Sequence, residues 1–305
     1  MMQMMEAPPR PLATPLPADG ACERLQAQLH TRLQAIARAA IASLHAELVL
    51  SPKPGLVCPD DRGSHDDMDA TTMMRSIVSL RHGFKAIVGA AADGASFERL
   101  QALGIDAERA MLAATDGVNT HRGAIFNLGL LAAAVARCAS DGRAVTAAQV
   151  RDTMRVGWGR GIESTDALSA ERASHGAAVE VRYGAGGARR EAADGFPTVF
   201  EFLWPALCDA RHRGLDARRA RIHVLMKSIA TTIDTNLLYR GGVEGLAFAQ
   251  RAARTFLERG GVAAADWEPA LRTIGRAFVA RRLSPGGSAD LLAATLLVDR
   301  LVEAR

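Results

Sequence analysis

From Cys22 onward, apolar residues recur three and four positions apart with few interruptions, the pattern of helices that bury one face. Leu25, Leu29, Leu33, Ile36 and Ile41 mark one helix; Met74, Ile77, Val78, Phe84, Ile87 and Val88 mark a second. The same spacing predicts helices over 107–115, 120–139, 146–156, 197–211, 216–238, 243–259, 265–280 and 288–302. Strict alternation occurs once, in AAVEVRYG around Val179 and Tyr183, and β-branched and aromatic residues are sparse beside Ala and Leu. The prediction is an all-α chain, a single multi-helix domain over 21–305 with a loop-borne active site. Residues 1–20, rich in proline and without periodic apolar positions, predict a disordered tail. Neither a repeat nor a long linker divides the remainder. The least periodic stretch, 157–195, clusters glycines in RYGAGGARREAADG, and long internal loops of this kind are often functional.

Composition narrows the classes of function. With 49% hydrophobic residues in 305, the chain can bury a large core. Its net charge is only +4, with three lysines among 37 basic residues and a nearly matching acidic count. That excess is not the footprint of a nucleic-acid binder. The densest basic run, RHRGLDARRAR at 211–221, reads as a solvated helix boundary. Cys22, Cys58, Cys138 and Cys208 stand at long, unrelated spacings, which predicts reduced thiols in a cytoplasmic protein. No apolar leader opens the chain, and no run approaches the roughly 18 apolar residues of a membrane span, so neither membrane nor nucleic acid is expected as a partner.

Four stretches carry chemistry. In GVNTHRGAIFNLGLL (117–131) a buried helix is expected to start near Thr120, capped by Asn119 or Thr120, yet His121 and Arg122 occupy its first turn. Cations at the positive end of a helix dipole call for an anion. In SPKPGLVCPDDRGSHDDMDATTMM (51–74), prolines and glycines hold the chain out of helix until about Asp69. On such an extended segment His65, Asp67 and Asp69 share a side, and carboxylates so placed suit Mg²⁺, although Asp69 is equally placed to cap the helix that follows. Lys53, between two prolines, offers a compact charge for phosphate or is a solvated loop lysine. In TTIDTNLLYRGGVEGLAFAQ (231–250) one helix is predicted to end, turn at Gly241 and Gly242, and give way to another. Asp234 near that helix C-terminus calls for a cation, Asn236 and Arg240 share a face, and Glu244 opens the next helix. In SPGGSADLLAATLL (284–297), Ser284, Gly286 and Gly287 precede a helix that Ser288 would cap, a place where backbone N–H groups can meet an anion or merely turn. Walker, Rossmann, zincin and nucleophile-elbow signatures are missing.

Taken in order, PKPGLV, GSHDDMD, ERAMLAATDGVNTHRGAIFNLGLL, HGAAVEVRYGAGGARREAADGFPTV, DTNLLYRGG and SPGGSADLLA closely resemble the triphosphoribosyl-dephospho-CoA synthases over most of residues 45–297. That family makes the prosthetic-group precursor of citrate lyase and malonate decarboxylase, and ELVLSPKPGLVCPDDRGSHDDMD resembles the malonate decarboxylase branch more. The resemblance implies transfer of the ribose C1 of ATP to the 2′-hydroxyl of 3′-dephospho-CoA, with adenine released. The product then passes to a separate nucleotidyltransferase acting on an acyl-carrier subunit. The absent anion is then a polyphosphate. It further implies Mg²⁺ held by Asp67, Asp69 and Asp234, with Lys53, His121, Arg122 and Arg240 neutralising phosphates. Asn119, Thr120, Asn236, Ser284, Gly286 and Gly287 bind substrate, His65 or Glu244 serves as base, and His175, Arg182 and Arg189 close over a nucleotide. The chain departs from the family pattern at Arg122, more often lysine, and at Arg190, usually glycine. A homo-oligomer is compatible with this reading. A rival reading is a Mg²⁺-dependent helical hydrolase of ADP-ribose-like N-glycosides; a basic helical nucleic-acid module is a third.

Overall fold

A computed structural model describes residues 19–164 and 187–303. The helices are α1 (Asp19–Leu48), α2 (Ala70–Ser79), α3 (Arg81–Ala92), α4 (Phe97–Ala114), α5 (Arg122–Ser140), α6 (Ala147–Gly157), α7 (Gly159–Ser164), α8 (Gly187–Ala193), α9 (Trp204–His212), α10 (Ala217–Thr231), α11 (Thr235–Glu258), α12 (Trp267–Ala280) and α13 (Gly286–Leu301). A π-helical turn, Thr198–Leu203, leads into α9. Among the described residues there is no β-strand, only the isolated bridges Cys58 to Asp61 and Thr146 to Glu303. The chain is all-α, as its periodicity predicts. The alternating run at 177–184 and residues 1–18 of the tail lie outside the described residues.

At the centre is α5, apolar nearly all round and buried from Ala124 to Ala139 apart from Phe126 and Arg137. It packs against α1, α3, α4, α6 and α13, and the buried side chains form a single cluster running from Ile36 to Val302. Among the described residues α5 is the one helix long and apolar enough to cross a membrane, with a mean hydropathy of 1.5. Asn127 and Arg137 interrupt its apolar residues, so it is not an unbroken run of about 18. With 78% of that window buried, the hydropathy belongs to the centre of the core.

Several boundaries differ from the periodic prediction; α4, expected to begin at 107, begins at Phe97. The helix expected through 74–88 is divided at Leu80, whose ψ of −10° turns the chain while Ile77, Leu80, Phe84, Ile87 and Val88 all stay buried. The helix expected over 216–238 breaks at Thr232, which is extended (ψ 148°), so α10 ends there and Asp234 opens α11. Asp234 is therefore an N-cap, not a carboxylate misplaced at a C-terminus. The turn predicted at Gly241 and Gly242 is a kink within α11, where Gly242 takes φ 61° and ψ −162°. These breaks bring the starts of α5, α11 and α13 to one end of the bundle, facing the loop that joins α1 to α2.

Candidate functional site

The loop at 49–69 is held by the segment that leads into α13. A side chain at Gly55 (φ 69°) would strike the Leu283 carbonyl oxygen at 2.2 Å, and Ser64 Oγ donates to that same oxygen at 2.6 Å. His65 Nε2 lies 2.9 Å from Ser284 Oγ, and its Nδ1 lies 3.3 Å from Arg240 Nη2 and 3.6 Å from Asp67 Oδ1. Arg240 Nη1 also donates to the carbonyls of Ser64 (3.0 Å) and Arg282 (3.3 Å). The sequence-predicted His65, Arg240 and Ser284 thus meet directly. Burial first, then the Arg240 charge, lowers the pKa of His65, so the imidazole is neutral at pH 7 with Asp67 opposing.

Asp234 joins two helix starts. Its Oδ1 accepts the N–H groups of Asn236 (2.9 Å) and Leu237 (3.3 Å), and its Oδ2 accepts Ser288 N–H (2.8 Å) and Oγ–H (3.0 Å). Both N-termini are thereby relieved of unpaired donors, each cap contributing about 1 kcal/mol. Ser288 consequently does not cap α13, which begins after Pro285; its N–H is served by Asp234. Gly286 and Gly287 lie against Asn236 and Asp234, where a Cβ would stand 2.8 Å from Asn236 Nδ2 and 3.2 Å from Asp234 Cγ. The anion expected at the Pro-Gly-Gly turn is thus supplied by the protein itself.

Cationic candidates prove to be committed. Lys53, buried, donates to both the carboxylate and the backbone carbonyl (2.8 Å) of Glu47. That corrects the reading of Lys53 as a free phosphate ligand, because its charge is neutralised inside the protein. Arg122 turns back onto α4, its Nε 2.7 Å from Glu108 Oε1 with a second Nη contact to the same carboxylate. One absent anion at α5 is therefore Glu108. His121 is 4% exposed, and burial, reinforced by the Lys53 charge, lowers its pKa to about 3. Its neutral form is thereby favoured. Its Nδ1 lies 2.7 Å from Ser76 Oγ, which in turn accepts Thr120 Oγ1–H at 2.7 Å. With that lone pair used, the Ser76 hydroxyl is free to donate to Nδ1, which puts the imidazole proton on Nε2. Nε2 has no partner among the described residues. The N-cap of α5 is His121, not Asn119 or Thr120, and its side chain makes no capping bond; Asn119 Oδ1 accepts the Arg122 N–H at 3.2 Å.

Two carboxylates missed by sequence reading complete the cleft. Glu47 is the partner of Lys53, and Asp290, in the second turn of α13, sits against the first turn of α5. A Cβ at Gly123 would lie 2.1 Å from Asp290 Oδ2, so only glycine leaves room for it. Burial, then the carboxylates of Glu47 and Asp234, raises the pKa of Asp290 well above the usual range, while the α5 dipole opposes this by about 1 kcal/mol. Each had a sequence signal. Glu47 is an acid in the last turn of a helix, and Asp290 is the lone acid ahead of the apolar run Leu291–Val298.

Among the described residues the three carboxylates expected to hold Mg²⁺ are not gathered into one group. Asp234 spends both oxygens on caps. Asp69 caps α2, accepting Thr72 N–H at 2.9 Å, and pairs with Arg62 at 3.0 Å; the Thr72 N–H first, then Arg62, lowers its pKa to about 2. Asp67 is 61% exposed beside His65. Among the described residues no group of three His, Cys, Asp or Glu side chains is arranged to hold a metal.

Glu244 is exposed beyond the α11 kink and makes none of the contacts above. Arg189 lies on α8, whose first residue, Gly187, approaches the Thr235 side chain, so the end of the glycine-rich segment reaches the start of α11. His175 and Arg182 lie outside the described residues. Across the 49–51 segment is a separate cavity of about 560 Å³ with Arg218, Arg221 and Arg272 in its wall. Arg218 and Arg272 are paired there with Glu268 and Asp60.

The family described as ATP:dephospho-CoA triphosphoribosyl transferase (CitG) matches residues 33–305, a range that includes every element of this cleft. A probable 2-(5''-triphosphoribosyl)-3'-dephosphocoenzyme-A synthase of Acinetobacter calcoaceticus is 39% identical over 88% of this chain and 90% of its own length. A protein of the same description from Stutzerimonas stutzeri is 40% identical over 91% of this chain and 95% of its own length. Another, from Vibrio cholerae, is 37% identical over 84% and 85%. No solved structure matches the chain significantly. With a family match of this extent and relatives alike over nearly their whole lengths, the chain belongs to the ATP:dephospho-CoA triphosphoribosyl transferase family.

Proposed function

We propose that the protein joins the ribose C1 of ATP to the 2′-hydroxyl of 3′-dephospho-CoA, releasing adenine and keeping the triphosphate, in the cleft where α5, α11 and α13 begin. The observation that carries this reading is the family match over 33–305, which spans the whole cleft. The chemistry asks for a base at the attacking hydroxyl, a proton for the departing base and binding groups for phosphate. His65 is suited to the first task. It is neutral, and Ser284 and Arg240 fix its orientation. Arg240 provides positive charge for the triphosphate, and the family resemblance gives His175, Arg182 and Arg189 of the glycine-rich segment contacts to a nucleotide. Asn119, Thr120 and Asn236 offer polar contacts at the same helix starts. Magnesium enters on the phosphates of ATP, where one or two carboxylates suffice to complete its shell. The resemblance of the 47–69 segment favours the malonate decarboxylase branch for the product's use.

Incubation with ATP, dephospho-CoA and Mg²⁺ tests this. Free adenine together with a triphosphoribosyl adduct of dephospho-CoA, seen by mass spectrometry, is the expected result. Free ribose triphosphate without adduct would identify a hydrolase instead.

A further inference from the structure

We propose that Asp290 is the acid that protonates adenine as it leaves, an assignment that rests on the transfer reaction proposed above. Among the described residues Asp290 receives no hydrogen bond, whereas Asp234, one helix away, accepts four. A carboxyl with no structural bonds, set deep between two helices but still partly open, is not explained by folding. The sequence keeps space for it, because any side chain at Gly123 would collide with its Oδ2. It stands four residues past Gly286, while the candidate base His65 is anchored to Ser284 just ahead of the same helix. Acid and base therefore flank the first turn of α13. The buried Nε2 of His121, also at the start of α5 and in the field of Lys53, is a second polar group without a partner among the described residues.

The charged and titratable groups around Asp290 are Glu47 with its partner Lys53 at the end of α1, Asp234 at the start of α11 and neutral His121 at the start of α5. Burial and the two carboxylates favour its protonated form, the form a general acid needs. In the step, the C1–N9 bond breaks and its electron pair goes to adenine, which takes the Asp290 proton. The 2′-oxygen bonds to C1 and gives its proton to His65. Return of that proton through water to Asp290 restores both groups, so that in net terms the alcohol loses one proton and adenine gains one.

The test compares ATP with an ATP analogue methylated at N7, whose purine is already cationic and leaves without protonation. Asp290→Asn is expected to slow adenine release from ATP by about 10²- to 10⁴-fold. Turnover of the methylated analogue should change by less than about tenfold, on the same principle that an acid matters only where a proton is needed. In the unmutated protein, kcat with ATP should fall on an alkaline limb that is missing with the analogue, a readout that does not depend on the variant folding. Equal losses on both substrates, an unchanged rate with ATP, or the same alkaline limb with both would overturn the assignment. Absence of any adenine release from ATP and dephospho-CoA by the unmutated protein would instead overturn the reaction itself.

Discussion

Asp234→Asn separates a helix cap from a metal ligand. Asparagine keeps the volume of aspartate but retains a single acceptor oxygen. If that oxygen serves Asn236 and Leu237, the amide nitrogen faces the N–H and hydroxyl of Ser288; if it serves Ser288, the nitrogen faces the α11 donors. Either way two hydrogen bonds to a buried, 3% exposed carboxylate are lost and donors oppose one another. A bond to a charged group contributes about 1.5–3 kcal/mol net. Removing the cost of burying a charge, which pushes the Asp234 pKa up, returns part of that. The balance is a loss of about 2–3 kcal/mol, or about 4–12 °C in melting temperature at 2–4 °C per kcal/mol. Denaturant unfolding followed by circular dichroism measures it directly. The reasoning fails if the variant unfolds at the parental midpoint while its Mg²⁺ requirement for adenine release rises tenfold or more, since that is how a metal ligand behaves.

Gly123→Ala should cost about 1–3 kcal/mol and most of the activity, because its Cβ takes the place of Asp290 Oδ2; a fully active, equally stable variant would show that the carboxyl lies elsewhere. His121, with a folded pKa of about 3 against 6.5 unfolded, contributes stability that is complete above pH 6.5 and is lost as pH falls toward 3. His121→Gln should show a shallower acid loss over that window, and identical pH profiles would refute the buried neutral imidazole. Asp290, with its pKa raised on folding, has the opposite sign: its protonated form stabilises at low pH, and that contribution fades as pH rises through the folded pKa. Asp290→Asn should therefore lose less stability than the parent on going alkaline, and a steeper loss would contradict the assignment. For Arg122 and Glu108 a double-mutant cycle should give a coupling below about 1 kcal/mol, as the guanidinium is 41% exposed; a large ATP-affinity defect in Arg122→Ala with no coupling would return Arg122 to the phosphate site.

The helical class and the central place of α5 were legible because periodicity and hydropathy act locally. The approach of His65, Arg240 and Ser284 was legible only through the family resemblance, since nothing in their spacing brings residues so distant together. Asp234 was misread because apolar periodicity runs across the break between α10 and α11. The β-branched run Thr231, Thr232 and Ile233 followed by Asp234 carries the stop and cap signal that the periodicity masks. Lys53 and Arg122 looked free because a sequence does not display ion pairs: Glu47 is six residues away but on a different element, and Glu108 is on another helix. Glu47 and Asp290 were missed for the related reason that each was judged within its own helix, while their meaning comes from three helix starts sharing one wall.

Where ATP sits is the claim from which the rest follows. Photolabelling with 8-azido-ATP, without dephospho-CoA so that no turnover occurs, locates it by peptide mapping. Labels within 47–67, 118–127, 234–240 or 284–290 that excess ATP suppresses are the predicted outcome. ATP-protected labelling confined to the Arg218, Arg221 and Arg272 cavity would contradict the account.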